Sequence, residues 1–184
     1  YRTKRMQVAF RRLAETDTLT GISNRDHFTK NAEQALSEAS RKSEQLGLIM
    51  FDLDNFKSIN DRYGHSAGDW VLKRVTEVIK PICRKQDCIG RIGGEEFAIL
   101  LRASDTESAA AMAERFRERI ASISTAETGH DFKATASFGV TTTSNSGYVF
   151  DTLLSQSDQA LYQSKREGRN RVSIFANAKT NAST

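Results

Sequence analysis

The chain of 184 residues has no long apolar run; 38% of its residues are hydrophobic, 27% are charged, and its unbroken apolar segments are only strand-sized. A membrane span needs roughly 20 consecutive apolar residues, so neither a span nor a signal peptide is legible, and the domain is expected in the cytoplasm. Cysteine is almost missing. Cys83 and Cys88 are the only two, five apart, with no companion pair and no histidine at metal-ligand spacing. That argues against a disulfide framework and a zinc site and leaves two reduced, partly buried thiols. A tract of one charge sign is also lacking. The net charge is +4, and the basic residues fall in short separate clusters, KRMQVAFRR, ERFRERI and KREGRNR. Such clusters suit contact with a few phosphates rather than the wrapping of a duplex. Without a helix-turn-helix or an aromatic stacking signature, nucleic acid is not expected as a partner.

What is present fits one domain with short extensions, long enough to bury a core. The start at Tyr1 suggests a fragment, so the location of the parent protein, including any membrane anchor, stays open. Residues 1–15 place Met6, Phe10 and Leu13 along a narrow apolar seam and are expected to be the end of an upstream signalling helix. Residues 16–176 are expected to form the globular domain and the small, polar residues 177–184 a disordered tail.

Within the domain, Phe28, Ala32, Ala35, Leu36 and Ala39 mark one face of a helix, and GLIMFDL reads as a buried central strand. The stretch DNFKSINDRYGHSAGD reads as a loop leading to a helix with a Val71, Leu72, Val75, Val78, Ile79 stripe that ends at Pro81. Strands at Cys88–Ile92 and Phe97–Leu101 make a hairpin, and a third helix, N-capped by Asp105, buries Ala109, Met112, Ala113, Phe116 and Ile120. FKATASFGVTT alternates as a strand from Phe132 to Val140, a fourth helix runs over Asp151–Glu167, and RVSIF closes the sheet. This order predicts an α/β (α+β) sandwich, a mostly antiparallel central sheet flanked by helices.

The strand GLIMFDLD delivers Asp52, then Asp54 on the same backbone face, near a hairpin turn that presents Glu95 and Glu96. Adjacent carboxylates repel, and a hard divalent cation held with substrate phosphates would relieve the repulsion. Gly93 and Gly94 are free to take positive φ and let a phosphate or base approach the backbone. On the residues alone, Gly-Gly followed by acids reads equally well as an ordinary hairpin turn.

Five stretches together are specific. RIGGEEF resembles the signature turn of the GGDEF domain, the diguanylate cyclase family, in its glutamate form. DTLTGISNR resembles the opening motif, FDLDNFKSINDRYGHSAGD the nucleotide-binding stretch, ASFGV the later strand, and LYQSKREGRNRV the closing helix and strand. The blocks span Asp17 to Val172 in family-like order; Ile92 departs, where the family often has an aromatic. The resemblance implies a fold similar to the palm of adenylyl cyclases and some polymerases. It implies an enzyme in which two subunits each hold one GTP and join them into cyclic di-GMP, releasing two pyrophosphates, with Mg2+ or Mn2+ as cofactor.

Carried over by motif position, Asp52, Glu95 and the Leu53 carbonyl would bind metal, and Glu95 with Glu96 would be the acids of the catalytic turn. Asn60 and Asp69 would read guanine, and Lys57 with the amides around it, together with Lys165 and Arg169, would hold the triphosphate. Asp17 and Arg25 would form a salt-bridged anchor, and His65 reads as a local hydrogen-bonding residue. Arg84 and Asp87 resemble the family's inhibitory Arg-x-x-Asp, which binds the cyclic product, with Arg115 as its secondary arginine. The implied partners are GTP, cyclic di-GMP at the inhibitory site, a second copy of the chain and an upstream sensor domain. The alternative is a catalytically inactive sensor of the same fold that binds GTP or cyclic di-GMP.

Overall fold

The central strand forms where the chain is most continuously apolar. β1 (Gly47–Leu53) is buried at all seven positions, as a strand covered on both faces must be. It pairs antiparallel with β3 (Glu96–Leu101) on one side and β4 (Ala136–Thr142) on the other. β2 (Cys88–Arg91) lies antiparallel to β3, and β5 (Val172–Ile174) joins β4 in parallel, giving the order β2-β3-β1-β4-β5. The expected mostly antiparallel sheet is therefore present, with its parallel pairing at one edge. The structure, a computed structural model, describes residues 14–176; the expected linker helix up to residue 13 and the expected tail at 177–184 lie outside the described residues.

Helices cover both faces: α1 (Arg25–Lys42), α2 (Phe56–Tyr63), α3 (His65–Ile79), α4 (Thr106–Ala121), the short α5 (Thr143–Ser146) and α6 (Phe150–Arg166). Asn24 caps α1 by accepting from the His27 amide at 2.9 Å, and Asp105 caps α4 by accepting from Ser108 at 2.8 Å. Along β1 the side chains alternate between two cores. Ile49, Phe51 and Leu53 face α3 and α4, while Leu48 and Met50 face α1 and α6. Phe51 stacks between Phe97 and Phe138, with ring centroids 4.9 Å away on each side. The helix stripes fall as expected, although Val78 and Met112 are half-buried at the margin of their core.

Several expectations are corrected. The stretch after Asp54 is not a loop: Phe56 and Ile59 bury one face of α2, and Gly64, at φ 89°, breaks the chain before α3. β4 begins at Ala136, not near Phe132. Phe132 instead stacks on Tyr63 at 4.6 Å, and the polar Ser137, Thr141 and Thr142 of β4 are fully buried because both sheet faces are covered. Cys83 and Cys88 are both free, one packed on each core. Burial, with Asp87 adding to it, pushes the Cys83 thiol up to about 12, so it stays protonated and unreactive. Among the described residues no helix is long and apolar enough to cross a membrane.

Candidate active site

The site is built where β1 runs out of core. Asp52 and Asp54 are 8% and 6% exposed, and Asp52 lies opposite Glu96 in the β1–β3 register. The same pairing brings the hairpin turn to the end of β1, where the Leu53 amide donates to the Glu95 carbonyl at 3.2 Å. From the last turn of α6, Lys165 Nζ reaches Asp52 Oδ2 at 2.8 Å. Burial pushes the Asp52 carboxyl up, Lys165 opposes this, and Asp54 adds to it; the net shift is upward. The Glu95 carboxyl is also held above the usual carboxylate range, first by burial and then by the charges of Asp52 and Glu96.

This is a concentration of hard oxygen donors with more negative charge than one ammonium neutralises, which is the chemistry that Mg2+ or Mn2+ fits. Among the described residues no three His, Cys, Asp or Glu side chains converge as a complete ligand cluster. The donor set that fits is accordingly small: the Asp52 and Glu95 carboxylates and the Leu53 carbonyl, completed by oxygens of a substrate.

The turn differs from expectation at its glycines. Neither Gly93 nor Gly94 has positive φ. A Cβ on Gly93 would overlap the Glu96 carboxylate and force that side chain to swing aside, whereas a Cβ on Gly94 would meet nothing within 4 Å. The Glu96 carbonyl accepts from the Ile92 and Gly93 amides at 2.9 and 3.3 Å, so Glu96 closes the turn. Arg91 braces the tip: its Nε and Nη2 donate to the Gly94 carbonyl at 3.0 and 2.7 Å, and its Nη1 reaches Asp17 at 3.1 Å. The anchor expected between Asp17 and Arg25 is thus corrected, since the arginine paired with Asp17 is Arg91. Sequence reasoning missed this role, although Arg91 opens the RIGGEEF stretch. Burial alone would raise the Asp17 carboxyl, but hydrogen bonds from Thr20 and Arg91 outweigh it and hold it below its ordinary value.

Following β1, α2 and α3 pack so closely that a Cβ on Gly68 would overlap the Asn60 side-chain oxygen. Asn60 is thereby set beside Gly68 and its neighbour Asp69, which is exposed. Asp69 is the fifth residue of α3, past the first turn of the helix. At the start of α2, Asn55 is left-handed at φ 53° and its side chain caps none of the first-turn amides; the exposed Lys57 follows. Four residues apart, Lys165 and Arg169 have the spacing of one helical turn, but only Lys165 lies on α6. Arg169 lies beyond the end of α6 in the left-handed region at φ 64°.

The Arg84 and Asp87 pair forms a local turn away from this site. The Arg84 amide donates to Asp87 Oδ2 at 2.8 Å, and Asp87 Oδ1 accepts from the Arg102 amide at 3.1 Å. The Arg84 and Arg115 side chains are exposed, on the loop before β2 and on α4. His65 is the exposed first residue of α3.

Fold and site define an α/β domain with an acidic centre at the end of its central strand, bordered by a hairpin turn and a basic helix end. The chain belongs to the diguanylate cyclase, GGDEF domain family, which matches residues 14–171. It is 37% identical over 173 residues to diguanylate cyclase A of Treponema denticola, covering 90% of this chain and 45% of that protein. The coiled coil and GGDEF domain of DgcB from Caulobacter crescentus, solved in complex with c-di-GMP, superposes with a TM-score of 0.86 at 31% identity, covering 94% of this chain and 92% of that one. The active GGEEF domain of a diguanylate cyclase from Vibrio cholerae gives a TM-score of 0.79 at 34% identity, covering 84% of this chain and 98% of that one. The chain spans about half the length of the first curated relatives it matches, 45% and 54%.

Proposed function

We propose that this chain is a diguanylate cyclase: two copies, each holding one GTP, join the nucleotides into cyclic di-GMP and release two pyrophosphates. The observation that carries the reading is the meeting of Asp52, Glu95 and Lys165 at the end of β1. Asn60 and Asp69 form the guanine edge reader, because a carboxylate accepts from the N1–H and 2-amino group that adenine lacks. The uncapped amides at the start of α2, with Lys57, Lys165 and Arg169, hold the triphosphate. When bound by Asp52, Glu95 and the Leu53 carbonyl, Mg2+ or Mn2+ supplies charge neutralisation at the phosphates and acidifies the attacking hydroxyl.

In each half-reaction the 3′-oxygen of one GTP bonds to the α-phosphorus of the other, and the bond to pyrophosphate breaks. Glu95, presented by the turn beside the end of β1, is placed to accept the hydroxyl proton. Glu96 closes the turn that presents Glu95. The product joins two nucleotides, each held by one copy, so the active unit is a homodimer, and an upstream sensor domain sets its geometry. Arg84, Asp87 and Arg115 bind the cyclic product as a brake: a guanidinium suits the Hoogsteen edge of guanine, and Asp87 suits its amide.

The test is incubation of the purified chain with GTP and magnesium at several protein concentrations, followed by chromatographic separation of the nucleotides. Cyclic di-GMP formation that rises faster than linearly with protein is expected, and Glu95→Ala abolishes it. Absence of product even when a fused coiled coil forces dimerisation overturns the reading in favour of a nucleotide sensor.

A further inference from the structure

One buried carboxylate of the motif stretch has no part in the reaction above. Asp54 is 6% exposed, and its oxygens face protein donors. Thr135 Oγ1 donates to Oδ2 at 2.7 Å, Ser137 Oγ to Oδ1 at 2.6 Å, and the Asn170 amide to Oδ2 at 3.0 Å. Two of these donors belong to the approach to β4 and to β4 itself; the third belongs to the turn that follows α6 and carries Arg169.

We infer that Asp54 is a positioning residue, which pins that turn to the end of β1 so that Arg169 faces the triphosphate; the inference rests on the functional reading above. The turn is one the chain would not adopt unaided. Gly168, Arg169 and Asn170 have φ of 117°, 64° and 45°, and side chains rarely tolerate consecutive left-handed positions. Asn170 is therefore gripped twice. Asp54 takes its backbone N–H, and Arg117 Nη1 on α4 donates to its side-chain Oδ1 at 3.0 Å, with Arg117 itself oriented by Glu114 at 2.9 Å. On the other side of Arg169, its own amide donates to the Ser164 carbonyl at 3.0 Å. The turn is clamped to β1, α4 and α6, and Arg169 is the residue left to project from it. Charge-assisted bonds from a carboxylate to amide and hydroxyl donors are roughly twice as strong as neutral ones, which suits Asp54 to this task.

The experiment measures GTP turnover against GTP concentration in magnesium for the full chain and for Asp54→Ala, Asp54→Asn, Arg169→Ala and the Asp54→Ala/Arg169→Ala double variant. Asp54→Ala is expected to raise KM for GTP about tenfold, the worth of one such hydrogen bond, with a smaller change in kcat. Asp54→Asn restores KM to within about threefold of native, because its oxygen accepts from Thr135 and Asn170 and its amide donates to a reversed Ser137 hydroxyl. In the Asp54→Ala background, Arg169→Ala adds less than about a further twofold, since Arg169 is already displaced. Penalties that multiply in full overturn the inference, as does an Asp54→Ala variant with native KM. A readout without turnover is hydrogen exchange at the Asn170 amide, expected to accelerate in Asp54→Ala and not in Asp54→Asn. If Asp54→Ala does not fold, Asp54→Ser, whose shorter side chain draws the acceptor back, replaces it in every arm. A native chain that neither binds nor converts GTP refutes the functional reading alone; Asn170 exchange then decides the anchoring, and unchanged exchange overturns it.

Discussion

Gly139→Ala tests how the basic helix end is held against the acidic strand end. Gly139 lies in β4 opposite Met50 of β1 and Ser173 of β5. An added Cβ would overlap the Ser157 carbonyl oxygen and the Leu161 amide nitrogen, and would sit 2.9 Å from Leu161 Cα. All three are backbone atoms of α6, so no rotamer change relieves the clash. Restoring ordinary contact pushes α6 outward by roughly 1 Å. Overpacking costs about 1–3 kcal/mol where side chains can yield; a helix backbone yields less, so a cost of about 3 kcal/mol is expected. For a domain of this size that is roughly 6–12 °C in Tm. The same shift draws Lys165 away from Asp52, from 2.8 Å to beyond hydrogen-bond range. Thermal unfolding followed by circular dichroism, together with cyclic di-GMP formation assayed well below Tm, reads both effects. A Tm within about 2 °C of native, with native turnover, would refute the close seating of α6 on Gly139.

Gly94→Ala should behave in the opposite way. A Cβ there meets nothing, so stability stays within about 0.5 kcal/mol of native, while turnover falls because substrate must pass over the turn; native turnover would place substrate elsewhere. Arg84→Ala is expected to keep turnover at low product and to lose inhibition by added cyclic di-GMP; retained inhibition sinks the assignment of the brake. The Asp17 carboxyl is held below its ordinary value, so its contribution to stability is present above the unfolded-state pKa and is lost as pH falls through the lowered folded-state value. Asp17→Asn should therefore have a lower urea midpoint than native at neutral pH, with the gap closing on acidification through that window. A gap that widens toward acid contradicts the Asp17–Arg91 bond.

The parts of the fold that were readable share one property: they repeat locally. Phe28, Ala32, Ala35, Leu36 and Ala39 are all buried on α1, as their spacing requires, and the unbroken apolar run of β1 is buried on both faces. α2 escaped because FKSINDRY is polar and only Phe56 and Ile59 are buried; two apolar residues cannot establish a period. The candidate site was named by motif rather than by physics, since no local rule ties Asp52 to Lys165, which lie 113 positions apart.

By itself, then, the sequence determined the order of elements, the covered strand, the absence of a long apolar span and the residues eligible for chemistry, because these depend on composition and short-range periodicity. Only the tertiary structure decided which charges meet. Asp17 pairs with Arg91 rather than with the nearer Arg25, Lys165 pairs with Asp52, and Asp54 accepts from the Asn170 amide in the turn beyond α6. The physical reason is that a carboxylate specifies neither partner nor distance along the chain. Antiparallel register and helix packing set those, and they emerge only when the whole core closes.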